Sequence, residues 1–265
     1  MQKMKKIIVV VAVLLVLGVC VWGTTRLLFA KKLRVATFNI QATSSTDVVA
    51  MNQLLVKNNV DVVGMQEVDK NNSRNNYDML GRIVEEGNFG YSMFQMSAEA
   101  LDGGYGNGIL SRYEIKDSSG GLYIHNAEGD DRSWQKVELQ MGDKRISVYN
   151  THLTYISQEI RAKQLQELKD IMDKDTNKYK ILVGDFNTDQ SHDEITLFLK
   201  DYNIANGKDG IWYDTFNNKN NIPNSMKTYA VDNIITSKNI KVENITMIET
   251  LLSDHNLFFI DVTLY

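Results

Sequence analysis

The chain has 265 residues, of which 43% are hydrophobic, and it contains one proline and one cysteine. This length and composition allow a single domain of about 230 residues with a full core after a short leader. The one cysteine, Cys20, excludes an internal disulfide and a zinc site built from thiolates, so any metal ion must be held by oxygen and imidazole ligands.

Charge is unevenly distributed along the chain. Residues 1–32 hold six of the 29 Lys and Arg residues and none of the 33 Asp and Glu residues, so the remainder carries a formal net charge of −10. Proteins that bind duplex nucleic acid non-specifically gain most of their affinity from Lys and Arg at the phosphates. The acidic remainder therefore disfavours nucleic acid as a partner, although it leaves room for a local basic patch.

The first predicted element is a membrane anchor. An uncharged apolar run of 17 residues extends from Ile7 to Gly23, which is at the lower limit of a membrane span, about 17 residues, and longer than the usual core of a signal peptide, roughly 7 to 15 residues. We expect residues 1–32 to form a single-pass signal anchor in the cell membrane with a stalk at residues 24–32, and residues 33–265 to form one extracellular domain. The alternatives are a cleaved signal peptide, for which the candidate cleavage sites are poor, and lipidation of Cys20, for which Val19 is bulky.

Strand-like and helix-like segments alternate from residue 33 onward. Strands are predicted where apolar residues alternate or form short runs, and helices where apolar residues recur at helical spacing after a Ser, Thr or Asn. No segment rich in Gly, Ser or Pro separates them, which indicates one domain. The predicted strands are residues 33–40, 60–66, 108–112, 131–139, 144–150, 180–183, 231–236 and 257–264, and the predicted helices are residues 45–57, 76–86 and 157–174.

Polar residues lie at the ends of these apolar strands. Each residue alone has an ordinary explanation as a turn residue, a solvated helix start or a buried histidine, but no single ordinary explanation covers all six of these strand ends. Asp185 and Asn187 are two residues apart, which places them on one side of an extended chain. An oxygen-rich site, with two histidines as proton-handling groups, suits Mg²⁺ or Mn²⁺ rather than zinc. The strand-end residues are Asn39, Glu67, His152, Asp185, Asn187, Asp232, Asp254 and His255.

Seven motifs carry a family resemblance: TFNI, MQEVD, GNGILSR, NTHL, GDFNTD, VDNIIT and SDHN occur in this order. From Leu33 to Tyr265 the chain resembles the endonuclease/exonuclease/phosphatase superfamily with the deoxyribonuclease-I-like fold. The resemblance implies an α/β (α+β) fold, a four-layer sandwich of two mainly antiparallel sheets flanked by helices, with the active site at one edge of the sheets. It also implies a Mg²⁺- or Mn²⁺-dependent hydrolase that attacks a phosphate mono- or diester with water.

The resemblance assigns the metal to three of the strand-end residues. Glu67 and Asp254 would ligate the divalent ion, and Asn39 would contact the metal or the phosphate. The positive charge of a bound metal ion would neutralise the negative charge on the phosphoryl oxygens during transfer.

The resemblance gives the other five residues roles at the reacting atoms. Asp185 would orient or deprotonate the attacking water, and Asn187 would help to hold the water and the phosphoryl oxygens. His255, steered by Asp232, and His152 would stabilise the non-bridging oxygens of the transition state.

The branch of the superfamily remains open at this point. Gln41 and Asp69 replace residues typical of apurinic-site nucleases, so that branch is disfavoured. The runs EVDKNNSRNN and NTHLTYISQEIRAKQ, which contain Arg74, Arg161 and Gln164, are similar to a bacterial group of metal-dependent hydrolases. The alternatives are an extracellular nuclease, a sphingomyelinase-like phospholipid phosphodiesterase, whose apolar hairpin is not evident here, and a binding module without catalysis. We expect a monomer acting on a soluble or extracellular phosphate ester.

Two smaller expectations concern residues around the site. Arg74 is predicted to form a surface ion pair rather than to contact a substrate phosphate. Asn107 and Arg112, in GNGILSR, are predicted to shape the floor of the site.

Overall fold

The computed structural model describes residues 30–189, 192–217 and 229–265. Within these ranges no helix combines the length and the apolar character needed to cross a bilayer. The predicted anchor at residues 7–23 and Cys20 lie outside the described residues, so the anchor stays a prediction.

Two six-stranded sheets form the centre of the molecule. The strands of the first sheet are β1 (Lys31–Asn39), β2 (Val62–Lys70), β3 (Tyr91–Ala100), β4 (Gly103–Ser111), β11 (Ile240–Ile248) and β12 (Leu257–Leu264). Those of the second are β5 (Ile115–Leu122), β6 (Ser133–Met141), β7 (Lys144–His152), β8 (Tyr179–Asp185), β9 (Tyr202–Ile204) and β10 (Asp232–Ser237). The strand order is β11-β12-β1-β2-β4-β3 in the first sheet and β5-β6-β7-β8-β10-β9 in the second.

Each sheet contains one parallel pair at its centre. Strands β1 and β2 run parallel, as do β7 and β8, and all other neighbours are antiparallel. A parallel pair needs a crossover connection, which α1 (Val48–Lys57) provides between β1 and β2 and α3 (Gln158–Lys174) provides between β7 and β8. The carboxyl ends of both pairs lie at the same end of the sandwich, because Asn39 at the end of β1 is hydrogen-bonded to Asp185 at the end of β8. We call this end, which also carries His152, the catalytic edge.

The helices and sheets make the four layers that the sequence predicted. Helix α1 and α2 (Met79–Glu85) bury residues such as Met51 and Ile83 on the outer face of the first sheet. Helix α3 buries Leu165 and Leu168 on the outer face of the second sheet. A third cluster, which includes Val35, Val148, Val183, Ile234 and Phe258, fills the space between the sheets.

The two sheets are in close contact at Gly64. A Cβ atom at this position would lie 2.3 Å from a side-chain atom of Val183 and 2.7 Å from Asn150. Only glycine fits, and the gap it leaves lets Asn150 donate to the backbone oxygens of Met65 and Gly108, each at 2.9 Å. These bonds tie the second sheet to the first directly beneath the catalytic edge.

Candidate active site

Four predicted site residues point into the space between the sheets. Along a strand every second side chain faces the same way, and Asp185 shares its face with Val183, which lies in the core between the sheets. The same spacing puts Asn39, His152 and Asp232 on the inner faces of β1, β7 and β10. The strand register then sets His152 and Asp232 on either side of Asp185.

Asp185 is the centre of the cluster and is buried. Its Oδ2 accepts a hydrogen bond from Asn39 Nδ2 at 3.0 Å and lies 3.3 Å from His152 Nε2 and 3.7 Å from His255 Nε2. Its Oδ1 accepts from the backbone N–H of Asn187 at 2.9 Å. One carboxylate is thus in contact with donors from both sheets.

His255 and Asp232 form a buried carboxylate–imidazole pair. His255 Nδ1 lies 2.8 Å from Asp232 Oδ2, and the edge of the imidazole packs against Phe216 with ring centroids 4.9 Å apart. The other oxygen, Asp232 Oδ1, is buried and has no hydrogen-bond partner among the described residues. Asp232 therefore fixes the orientation of His255 and keeps one oxygen available.

The two histidines differ in charge. Burial lowers the pKa of His152 well below its usual value, and the positive charges of Arg132 and His255 lower it further. Burial also opposes protonation of His255, but attraction to Asp232 and the hydrogen bond between them outweigh it and raise the pKa of His255 to about 10. Burial and repulsion from Asp232 raise the pKa of Asp185 to about 7. At neutral pH the cluster combines a neutral imidazole, an imidazolium and a carboxylate that readily accepts a proton.

Glu67 reaches the site because β2 contains a bulge. The pairing of β2 with β4 shifts between Met65 and Val68, and Glu67 has a positive φ of 60°. A bulge of this kind turns a side chain away from its regular face. Oε1 of Glu67 consequently accepts from Asn39 Nδ2 at 3.1 Å.

Asp254 is held on the other side of the end of β1. Gln41 Nε2 donates to Asp254 Oδ2 at 2.9 Å, and the Gln41 backbone N–H donates to Asn39 Oδ1 at 3.0 Å. Ser253 donates to the backbone oxygen of Asn39 at 2.8 Å. Burial raises the pKa of Asp254. Asn39 therefore lies between the two carboxylates that the sequence assigned to metal binding.

These oxygen atoms fit a hard divalent cation. Among the described residues, neither Glu67 nor Asp254 forms a salt bridge with a Lys or Arg side chain. The ligand atoms of Asp185, Asp232 and His255 lie within 4.8 Å of one another and form a second group of possible ligands beside Glu67 and Asp254. Carboxylate and carboxamide oxygens are the ligands that Mg²⁺ and Mn²⁺ prefer.

Asn187 is positioned differently from the sequence expectation. It was predicted to share one side of an extended strand with Asp185, but β8 ends at Asp185 and Asn187 has a left-handed φ of 48°. Its side-chain Nδ2 donates to the backbone oxygen of Leu153 at 2.8 Å. The expectation was wrong because the chain turns through an Asx-type bond to Asp185, and Asn187 joins this loop to the loop after β7.

Several residues near the site were not assigned there from sequence. Arg132 is only 8% exposed, bonds Asp130 through Nε at 2.6 Å, and lies close enough to His152 to lower its pKa. Tyr105 interacts electrostatically with both Glu67 and Arg132. In the sequence Tyr105 follows a glycine-rich run and Arg132 follows an acidic run, and neither run has a residue spacing that indicates a functional site. Gln41 was considered only as a residue that separates branches of the superfamily.

The remaining sequence expectations have mixed outcomes. Arg74 forms an ion pair as expected, but not at the surface: it is bidentate with the buried Asp69 at 2.7 and 2.8 Å. Asn107 Nδ2 donates to the Ser133 backbone oxygen at 3.0 Å between the sheets, beneath the site. Arg112 was wrongly placed at the site floor, since it lies 3.6 Å from Asp61 at the start of β2, which is the opposite end of the sheet.

The chain is similar to known proteins in sequence and in fold. The family model described as Endonuclease/Exonuclease/phosphatase family matches residues 36–255. Comparison with curated protein sequences gave no match. Among solved structures, an endonuclease/exonuclease/phosphatase from Bacteroides vulgatus has a TM-score of 0.73 at 20% identity, with 89% of this chain and 100% of that chain covered.

Two further similar structures carry more specific descriptions. The Bacteroides thetaiotaomicron mannosyl-6-phosphatase Bt3783 has a TM-score of 0.65 at 18% identity and covers 88% of this chain and 100% of its own. TDP2 from D. rerio, complexed with a single-strand DNA product, has a TM-score of 0.67 at 16% identity and covers 88% and 99%. At these identities the likeness shows the fold.

Proposed function

The chain belongs to the endonuclease/exonuclease/phosphatase family, whose members are phosphoester hydrolases, and we propose that it hydrolyses a phosphate mono- or diester with the help of Mg²⁺ or Mn²⁺. The observation that carries this proposal is the contact of one buried carboxylate, Asp185, with Asn39, His152 and His255 at the catalytic edge. A binding module without catalysis would not need to keep this buried charge, which is costly to maintain.

The metal would be held by Glu67, Asp254 and Asn39, which hydrogen bonds connect at the end of β1: Glu67 is bonded to Asn39 directly, and Asp254 is linked to Asn39 through Gln41. When bound, it would neutralise the phosphoryl oxygens and so favour attack at phosphorus. Gln41 positions Asp254 through its side chain and Asn39 through its backbone, so it acts on both ligands.

The chemistry at the reacting atoms would fall to the second cluster. Asp185 would accept the proton of the attacking water, since burial and repulsion from Asp232 raise its pKa to about 7. His255, held through Nδ1 by Asp232, would present its Nε2–H to a non-bridging oxygen, and His152 would donate from the β7 side. Fixed donors of this kind stabilise charge that develops in the transition state.

Membrane anchoring is proposed together with a soluble substrate. Strand β1 starts at Lys31 and ends at Asn39, so its start lies about 26 Å from the site at the usual rise of about 3.3 Å per residue. An anchor preceding residue 30 would therefore hold the catalytic edge away from its own bilayer. This geometry supports a substrate that arrives from the extracellular medium.

A phospholipid substrate is the second candidate. Sequence alone showed no apolar hairpin, but Leu101 at the tip of the β3–β4 hairpin is 50% exposed and Leu251, in the loop before His255, is fully exposed. Both side chains lie at the catalytic edge and could contact lipid. A nuclease activity is less favoured because of the net charge of −10 in residues 33–265.

A substrate panel tests the proposal. The full-length protein in detergent should hydrolyse bis-p-nitrophenyl phosphate or p-nitrophenyl phosphate with Mg²⁺ or Mn²⁺ and lose this activity in EDTA. Sphingomyelin and plasmid DNA belong in the same panel, and faster turnover of either one would select a phospholipase or a nuclease. The absence of hydrolysis of all four with either metal would contradict the proposal.

A further inference from the structure

A buried ion pair outside the reacting cluster joins α3 to the loop after β8. Arg161 lies on α3 and Glu194 in the short 3₁₀ helix Asp193–Phe198, and both are at least nine-tenths buried. Glu194 Oε1 lies 2.9 Å from Arg161 Nε and 2.8 Å from Arg161 Nη2. Arg161 belongs to the run QEIRAKQ, to which the catalytic cluster gives no role.

Each member of the pair is also bonded to a loop that carries a site residue. Thr188, which follows Asn187, donates through its hydroxyl to Glu194 Oε1 at 3.0 Å. Arg161 Nη1 donates at 3.2 Å to the backbone oxygen of Thr154, two residues after His152. The pair thus connects the loop after β8 with the loop after β7.

The same two loops are in direct contact at Asn187. Its Nδ2 donates to the Leu153 backbone oxygen, and its backbone is in the left-handed region at a φ of 48°. Asn adopts this conformation more readily than most residues, and its bonds to Asp185 and Leu153 hold it directly. The bond from Thr188 to Glu194 restrains the next residue of the same loop.

We propose that the Arg161–Glu194 pair is a positioning element that fixes residues 153–154 and 187–188 relative to each other and thereby sets the geometry of His152 and Asn187. This inference rests on the proposed function. Since neither side chain reaches the reacting cluster, the pair should affect kcat while KM stays constant.

Removal of one hydrogen bond gives the sharpest test. In the full-length protein, Thr188→Val keeps the shape of the side chain and removes the donor to Glu194, so kcat for bis-p-nitrophenyl phosphate should fall roughly tenfold with KM unchanged. Gln158→Ala is the matched control, because the exposed Gln158 donates to the other oxygen of Glu194 at 2.9 Å and its side chain forms no hydrogen bond with residues 153–154 or 187–188. Equal kcat values for wild type and Thr188→Val would overturn the inference.

The double variant Arg161→Met/Glu194→Met separates positioning from stability. Replacing a buried ion pair with apolar side chains leaves no isolated charge and is often neutral or stabilising. We expect a Tm close to that of wild type together with a kcat lower by about 10²-fold, because the bonds to both loops are lost. A stable double variant with wild-type kcat would show that the pair is only structural.

Amide hydrogen exchange gives a readout that does not depend on activity. Thr188→Val should speed exchange in residues 153–154 and 187–188, and Gln158→Ala should leave it unchanged. Unchanged exchange in both segments of Thr188→Val overturns the inference. If exchange changes but wild type hydrolyses none of the substrates, the positioning role holds and the proposed function fails.

Discussion

The two ends of the sheet sandwich contain carboxylates whose pKa values are shifted in opposite directions. At the catalytic edge, burial raises the pKa of both Asp185 and Asp254. At the opposite edge, the pKa of Asp261 is lowered, chiefly by its hydrogen bond to Arg34. Folding therefore disfavours the negative charge of Asp185 and Asp254 and favours that of Asp261.

The contacts explain this difference. At the opposite edge, Asp261 accepts from Arg34 Nε at 2.7 Å and from Nη2 at 2.9 Å, a bidentate pair. At the catalytic edge, the partners of Asp185 are a carboxamide, a backbone N–H and two imidazoles. Unfavourable charge is commonly retained at functional sites at some expense of stability. Substitutions at the two ends should therefore divide into those that affect activity and those that affect stability.

The largest effect is expected for Asp185→Asn. Because this change removes the proposed proton acceptor, kcat should fall by about 10²- to 10⁴-fold. The Tm should stay constant or rise, since a buried carboxylate repelled by Asp232 becomes neutral. Steady-state kinetics and thermal unfolding, measured on the same preparation, check both parts. A lower Tm with intact kcat would place Asp185 among the structural carboxylates and remove the contrast between the two ends.

Metal dependence is the next largest effect. Glu67→Gln conserves side-chain volume but removes an anionic ligand, so Mg²⁺-dependent turnover should fall by about 10²-fold and recover in part at higher Mg²⁺. Mg²⁺ alone should raise the Tm of wild type more than that of the variant, because binding to the native state stabilises it. Glu85→Gln, an exposed glutamate on α2, is the matched control. Undiminished wild-type turnover in EDTA would show that the assignment of a metal-dependent active site is wrong.

Asp232→Asn should have a smaller effect than His255→Ala. His255 is proposed to contact the phosphoryl group, so its removal should lower kcat by about 10²- to 10⁴-fold, whereas Asp232 only orients His255 and its loss should cost about ten- to a hundredfold. Equal losses in the two variants would indicate that Asp232 contacts the metal directly.

The sequence predicted the centre of each sheet better than its edges. Strand β12 was predicted with its observed ends, and β1, β7 and β8 to within three residues, because central strands are buried on both faces and read as apolar runs. The four edge strands β3, β5, β9 and β11 were not predicted. Strand β5 is almost entirely exposed and carries serines and glycines, so backbone pairing with β6 defines it without an apolar pattern.

The site residues could be identified from sequence because they follow buried strands, but their conformations could not. Gln41, Glu67 and Asn187 all have positive φ angles, which are uncommon for Gln and Glu, so tertiary contacts rather than residue type determine the conformation of those two residues. The roles of Gln41 and Arg161 depend on partners more than 30 residues away in the chain, Asp254 and Glu194. Residue spacing along one segment gives no information on these pairs.

The smallest predicted effect belongs to the opposite edge. Asp261→Asn should lower the free energy of unfolding by about 1 kcal/mol at pH 7, since the bidentate pair with Arg34 is partly exposed, and it should leave kcat unchanged. The folded-state pKa of Asp261 is lowered, so its contribution is complete above the unfolded pKa of about 4 and disappears as the pH falls through the folded value. Urea unfolding of wild type and variant between pH 7 and pH 2 should therefore show two free energies of unfolding that converge in acid.

Asp201→Asn is the control, because this exposed carboxylate lies 3.4 Å from Lys169 and should change stability by less than about 0.5 kcal/mol. A difference between wild type and Asp261→Asn that persists at pH 2 would mean that Asp261 contributes through packing rather than charge, and the contrast between the two ends would then not be electrostatic.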